Sequence, residues 1–187
     1  MISRMKYINR WALMRNSDYE NIAEHSLEVA MLAHCLCLIG NKRFGKNLDA
    51  DKAAVIGLYH DAPEIITGDM PTPVKYFNSD IRNIFGQIED NAADKLLGML
   101  PDDIRDDYRP FFFKEKGDEY LWKLVKAADK ISALIKCIEE KKAGNSEFTK
   151  AEEGTLNSIK AMKLEEADAF LKECLPAYSL SLDELQK

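Results

Sequence analysis

Two imidazoles and a short run of carboxylates are the side chains of this sequence whose types and spacing could do chemistry. His60 and Asp61 stand side by side, Glu64 follows one turn later, and Asp69 comes just after Gly68. The preceding Ala53-Ala54-Val55-Ile56 reads as core, and buried charge is costly unless it is paired or bound to a metal. His25 opens an apolar helical stretch in line with Val29, Leu32 and Leu36, and Asp129 interrupts the apolar run from Leu124 to Ile131. Two neutral imidazoles and two carboxylates make a mixed nitrogen and oxygen donor set. Such a set suits manganese, cobalt, iron, nickel or zinc and, less well, magnesium. It leaves positions for water and substrate, as hydrolysis of a phosphate ester requires.

Each residue also has a plain structural reading. A histidine at a helix start is commonly a surface or capping group, and a His-Asp dipeptide alone says little. Asp129 could simply pair with Lys126 or Lys136. The combination gains weight from its order: His25, then His60-Asp61, then Asp129, each on its own helix.

The elements that must hold these groups are helical nearly throughout, because apolar residues recur at three and four and alternating β-branched runs are missing. The spacing predicts a first short helix over Ile2 to Leu13. A second runs from Ile22 to Ile39, capped by Asn21 with Glu24 as its capping-box partner and stopped at Gly40. A third spans Ala50 to Thr67 and is stopped by Gly68. Pro63 interrupts it, so it either kinks after Asp61 or starts a new turn there. Pro71-Thr72-Pro73 reads as a rigid loop. Further helices fit Asp80 to Leu100 with Ser79 as cap, Asp102 to Tyr108, Glu119 to Ala143, Glu147 to Met162 and Leu164 to Cys174, with a short last turn capped by Ser181. Residues 1–187 are read as one all-α domain, a helical bundle.

The 187 residues carry a formal net charge of −6, which argues against a nucleic-acid polymer as partner. No apolar run reads as long enough to span a bilayer and the start lacks a signal peptide, so no membrane partner is expected. The four cysteines form no CxxC pair and read as reduced thiols of a cytoplasmic protein.

The order of ligands resembles the HD-domain metal-dependent phosphohydrolases. Asn9-Arg10-Trp11, Met14-Arg15-Asn16, Glu24-His25-Ser26-Leu27, Tyr59-His60-Asp61, Thr67-Gly68-Asp69, Pro71 to Asn78 and Ser181-Leu182-Asp183-Glu184 are similar to the bacterial 5′-deoxynucleotidase (YfbR-like) group. The resemblance runs from about Ile8 to Leu185. It implies a helical HD-domain homodimer that removes phosphate from deoxyribonucleoside 5′-monophosphates with one divalent metal ion such as cobalt or manganese.

Residue by residue, the resemblance assigns His25, His60, Asp61 and Asp129 as metal ligands, with His25 and Asp129 also beside the substrate. Arg10 orients the phosphate, Trp11 crowds out a 2′-hydroxyl, and Glu64 and Asp69 are the acid/base carboxylates. Asp69, Met70, Pro71 and Thr72 form the nucleotide-contacting loop. From the chemistry, Glu64 is the expected proton donor and Asp69 the group that orients water. Arg15 is a second phosphate candidate. Lys75, Tyr76 and Phe77 fit either a base pocket or dimer packing. Two alternatives remain at this point: another HD hydrolase, such as a nucleotide phosphodiesterase or guanosine tetraphosphate hydrolase, and a non-catalytic helical interaction protein.

Overall fold

The computed structural model describes residues 1–75 and 77–184. Tyr76, one of the offered pocket residues, lies outside the described residues, as does Leu185 at the end of the resemblance. Among the described residues there is no β-strand, only an isolated bridge between Asn9 and Asn21.

Three helices make the frame: α1 (Ile22–Arg43), α2 (Ala50–Tyr59) and α7 (Glu119–Lys142). Between α2 and α7 run α3 (Glu64–Thr67), α4 (Thr72–Lys75), α5 (Ser79–Leu97) and α6 (Asp102–Tyr108), and after α7 come α8 (Thr149–Ala161) and α9 (Glu165–Glu173). Where the frame helices meet, Val29, Leu36, Ile56, Leu124 and Ile131 are sealed from water. Each such side chain contributes roughly 1.5–3 kcal/mol of burial. Gly57 lets α2 lie close on α1, since a Cβ there would stand 2.8 Å from Ala30 Cα.

The N-terminal cap of α1 is formed as expected. Asn21 Oδ1 accepts from the backbone N–H groups of Ala23 at 3.0 Å and Glu24 at 3.1 Å, and Glu24 returns a carboxylate to the Asn21 N–H at 3.1 Å. This fixes the turn that carries His25.

Several boundaries differ from the sequence expectation. The chain does not stay helical from Ile2 to Leu13. A 3-10 helix covers Ile2–Tyr7, and the backbone then extends to the Asn9–Asn21 bridge and turns at Trp11, whose φ is +59°. That conformation is incompatible with a right-handed helix. α1 does not stop at Gly40. It continues to Arg43 because Gly40 is buried beside Leu48 and Glu166, where packing outweighs glycine's weak helix propensity.

The expected helix from Ala50 to Thr67 is two pieces. Pro63 has no N–H to offer the Tyr59 carbonyl, which accepts from Ala62 instead at 3.0 Å, and a new helix begins at Glu64. Gly68, at φ +72°, ends that piece and its N–H bonds Glu64 O at 2.8 Å. Asn78, rather than Ser79, caps α5, accepting from Ile81 N–H at 2.8 Å.

α1, extended to Arg43, departs from the sequence expectation that no apolar run is long enough to span a bilayer. By length and composition alone it could cross a membrane, yet 56% of its most apolar window is buried inside the fold. α2, α7 and α9 pack on it, and it carries His25 at 0% exposure.

The loop before α1 is fastened to α7 by Glu140, itself 1% exposed. Its carboxylate pairs with Lys136 at 2.5 Å and accepts from Ser17 N–H at 2.8 Å, Asp18 N–H at 3.2 Å and Asn145 Nδ2 at 2.8 Å. Burial opposes this charge, but Lys136 and these donors pull the carboxyl down to about 2. The segment bearing Arg10 and Trp11 is thereby tied to the helix bearing Asp129.

Candidate metal centre and active site

His25, His60 and Asp61 come together although they arise from two elements. Each offers one ligand atom, and these atoms lie within 4.8 Å of one another. Asp61 Oδ2 stands 3.2 Å from His60 Nε2 and 3.5 Å from His25 Nε2. Asp129 reaches the same place from α7, with Oδ1 3.3 Å from His25 Nε2. Its other oxygen pairs with Lys126 at 2.5 Å. Asp129 is therefore a partner of Lys126, as its structural reading has it, with Oδ1 left toward the imidazoles, while Lys136 is engaged by Glu140 instead.

The two Nε2 atoms are the diagnostic feature. Both are buried and neither has a hydrogen-bond partner. A buried polar atom left bare is costly, so a pair of them facing one another calls for a shared electrophile. His60 Nδ1 lies 2.7 Å from Gly57 O, which can only accept. The proton therefore sits on Nδ1 and leaves Nε2 a free lone pair. Gly57 O is free for this because the turn at Pro63 takes the chain out of the helix.

His25 is held from two sides. Its Nδ1 lies 3.0 Å from Ser132 Oγ, and Ser132 gives its own hydrogen to Glu28 Oε2 at 2.5 Å. Ser132 Oγ can then accept an Nδ1–H, the tautomer that frees Nε2 for a cation. Arg10 Nη1 is 2.7 Å from the same Nδ1 and can only donate, so it competes for the other tautomer. The donor set and its orphaned nitrogens fit a divalent cation that His25, His60 and Asp61 could hold, with Asp129 close enough to join them.

Charge follows from these neighbours. Burial, reinforced by Arg10, holds the His25 imidazole below its usual range. Burial opposes ionisation of Asp61, but His60 and His25 keep it well below the carboxylate range. Burial likewise works against Asp129, which Lys126 and His25 hold down. Glu64 goes the other way. Burial, then Asp61 and Asp69, push its carboxyl up to about 9, so it carries a proton at neutral pH. Burial also raises Asp69, with Arg10 opposing.

A cavity of about 240 Å³ opens on this centre, lined among others by His60, Asp61, Glu64, Lys75, Trp122 and Lys126. Lys75, offered by the sequence as a pocket residue, is at its wall and pairs with Glu89 at 2.7 Å. Phe77 is 76% exposed and lines no part of that cavity. Met70 and Pro71 are half-buried on the loop after Asp69, and Thr72 is exposed at the start of α4. Arg15 lines a separate depression with Ser17 and Asn145, and its carbonyl accepts from Asn145 Nδ2 at 2.6 Å.

Arg10 lies over the centre, 2.7 Å from His25 and 3.9 Å from Asp129 Oδ1. Glu20 holds it there at 2.8 Å and takes the Trp11 indole N–H at 3.1 Å. Sequence reasoning gave no role to Glu20 or Glu28, and no spacing signal marks them. Ser132 shares a helix face with Asp129 by spacing, but nothing in the sequence points its hydroxyl at His25.

Comparison with known proteins places this arrangement. The family model described as 5′-deoxynucleotidase YfbR-like matches residues 1–178. A 5′-deoxynucleotidase of Vibrio vulnificus is 46% identical over 184 residues, covering 98% of this chain and 95% of the relative. The 5′-deoxynucleotidase YfbR of Escherichia coli is 45% identical over 186 residues, covering 100% and 94%. Among solved structures, an HD-domain phosphohydrolase from Listeria innocua superposes with a TM-score of 0.82 at 22% identity, covering 100% of this chain and 90% of that one. The cyanophage S-2L HD phosphohydrolase DatZ, solved with dA and one catalytic Zn²⁺, gives 0.64 at 18% identity, covering 94% and 95%. These two likenesses show the HD fold. With a family match over residues 1–178 and relatives above two-fifths identity along nearly the whole chain, this chain belongs to the YfbR-like 5′-deoxynucleotidase family.

Proposed function

We infer that this chain is a metal-dependent phosphoric monoester hydrolase that converts deoxyribonucleoside 5′-monophosphates to deoxyribonucleosides and inorganic phosphate. The observation that carries the metal-dependent reading is the pair of buried, unpartnered Nε2 atoms of His25 and His60 beside Asp61. The substrate class follows from the 5′-deoxynucleotidase relatives, which this chain matches along its length.

A divalent cation such as cobalt, manganese or zinc, held by His25, His60, Asp61 and Asp129, would lower the pKa of water and offset phosphate charge. The chain's own residues do the rest. Arg10 presents a planar fork of donors to the phosphate, and burial against Glu20 and Asp129 does not strip its charge. Glu64, buried and protonated, donates to the leaving 5′-oxygen. Asp69, held less strongly toward its neutral form, orients the attacking water. The Asp69-Met70-Pro71-Thr72 loop lies along the nucleotide, and the Trp11 ring occupies the side where a 2′-hydroxyl would sit.

The working form is a homodimer. Supporting this, Leu27, Met31 and Leu38 are 55%, 58% and 43% exposed on one face of α1. An apolar stripe left to water on the central helix is better covered by a second copy.

Product analysis on a panel of dAMP and AMP (inorganic phosphate), 3′,5′-cyclic AMP (the 5′-monophosphate) and guanosine tetraphosphate (pyrophosphate) tests the reading, after chelation and with cobalt or manganese restored. Phosphate release from dAMP well above turnover of the other three is expected. Preferential cleavage of the cyclic or tetraphosphate substrate would assign the site to a different phosphohydrolase chemistry. No release at all would point to a binding protein.

A further inference from the structure

Glu20 is placed where one carboxylate oxygen serves two side chains. Its Oε2 accepts from Arg10 Nη1 at 2.8 Å and from the Trp11 indole at 3.1 Å, and its side chain is only 14% exposed. The backbones are joined as well, with Arg10 N–H donating to Glu20 O at 2.9 Å. Trp11 occupies the left-handed region at φ +59°, which a bulky residue adopts only when its surroundings impose it. What imposes it is visible: the indole is tied to Glu20 and its ring packs on Phe148, centroids 5.3 Å apart. The Arg10 guanidinium sits 6.0 Å from the same indole ring. Phosphate and sugar are thus met by adjacent residues whose directions are set by a third.

We propose that Glu20 is a positioning residue that aims Arg10 at the phosphate and Trp11 at the sugar, so that sugar selectivity and turnover share one hinge point. The proposal rests on the roles given above to Arg10 and Trp11. Glu20 is not among the residues offered to the cation, and its other oxygen, Oε1, lies 4.0 Å from His25 Nδ1, beyond hydrogen-bond distance. Its hydrogen-bonded influence passes through Arg10 and Trp11. A glutamine at this position would keep an oxygen for the indole N–H but lose the charge that holds the guanidinium.

The test compares the parent with Glu20→Ala, Glu20→Gln and Trp11→Phe. Two readouts are taken: the ratio of kcat/KM for dAMP to that for AMP, and the indole N–H signals in a ¹⁵N–¹H NMR spectrum. The chain has two tryptophans, so the signal lost in Trp11→Phe identifies Trp11. Glu20→Ala is expected to move the Trp11 signal, speed its exchange with water and lower the sugar preference on the order of ten-fold. Glu20→Gln is expected to keep the sugar preference within about three-fold while kcat falls about ten-fold, because the charge-assisted bond to Arg10 is lost.

If Glu20→Ala does not fold, the split between preference and turnover in Glu20→Gln decides the matter. An unmoved Trp11 signal in Glu20→Ala, or an unchanged sugar preference there when Trp11→Phe changes it, overturns the proposal. A parent that shows no preference for dAMP over AMP would fell the functional reading instead. The indole signal alone would then decide whether Glu20 holds Trp11.

Discussion

The imidazoles of His25 and His60 face one another with ring centroids 5.3 Å apart, tilted by 56°, and neither Nε2 finds a hydrogen-bond partner. One comes from the first turn of the central helix, the other from the turn just past α2. Their meeting depends on how closely α1 and α2 lie, and Gly57 sets that distance from the α2 side.

Removing either imidazole should remove the ion. His25→Ala and His60→Ala proteins are each expected to bind cobalt at least ten-fold more weakly than the parent, since each would leave an incomplete set around the cation. Visible absorption of cobalt during titration gives the affinity. Unchanged titration curves would show that the ion, if any, sits elsewhere.

Gly57→Ala should loosen the centre without touching a ligand. The added Cβ would meet Ala30 Cα at 2.8 Å, so the two helices must part. The expected cost is about 1–3 kcal/mol of stability, with weaker cobalt binding because Gly57 O also orients His60. Denaturant unfolding with and without cobalt measures both. A variant as stable as the parent would mean that the helices are not packed this tightly.

Glu64→Gln should abolish most turnover and leave the ion in place. Loss of a general acid typically costs about 10²–10⁴-fold in rate. The parent itself should lose activity as pH rises and Glu64 gives up its proton, from a starting point near 9 that a bound cation would lower. Activity in Glu64→Gln close to that of the parent would remove Glu64 from the chemistry.

The same carboxyl predicts a pH trend in stability for the chelated protein. Its folded value lies near 9 against an ordinary 4.5. Between those values the folded chain holds a proton that the unfolded chain has released, so this group makes folding less favourable as pH rises through that window. Glu64→Gln cannot ionise. Its gain in Tm over the parent should therefore be larger at about pH 8 than at about pH 5. Equal gains at both would contradict the raised value.

Met31→Glu should separate the two copies of the proposed homodimer. A charge in the middle of the exposed α1 stripe is expected to convert a dimer to a monomer in light scattering, because an unpaired charge cannot be buried cheaply. A parent that is already monomeric would refute the homodimer.

Much of this fold is legible in the residues alone. The capping box at Asn21 and Glu24 was readable because both members of the motif sit at fixed spacing, and it places His25 in the first turn. His60-Asp61 and Asp129 were readable because charge inside apolar runs demands a reason. What could not be read was anything set by contact across the fold. Trp11 lies in a stretch with helical composition, and only the indole's bond to Glu20 and its packing on Phe148 show why the chain turns there. Gly40 looks like a stop until Leu48 and Glu166 are seen beside it. Ser132 becomes meaningful only when α7 brings its hydroxyl to 3.0 Å from His25 Nδ1, and Glu28 only as the acceptor of that hydroxyl's hydrogen. Pro63 is a visible conflict with one continuous helix, and the new turn it starts is what presents Glu64, while His60 stands at the end of α2.

The central claim is that one ion held by His25, His60, Asp61 and Asp129 is what lets this chain release phosphate from a deoxyribonucleotide. Titrating chelated protein with cobalt while following phosphate release from dAMP tests it most directly. Activity should climb from near zero and level off at about one ion per chain, with His60→Ala flat across the same range. Full activity in the chelated protein, or a His60→Ala protein that climbs like the parent, would contradict it.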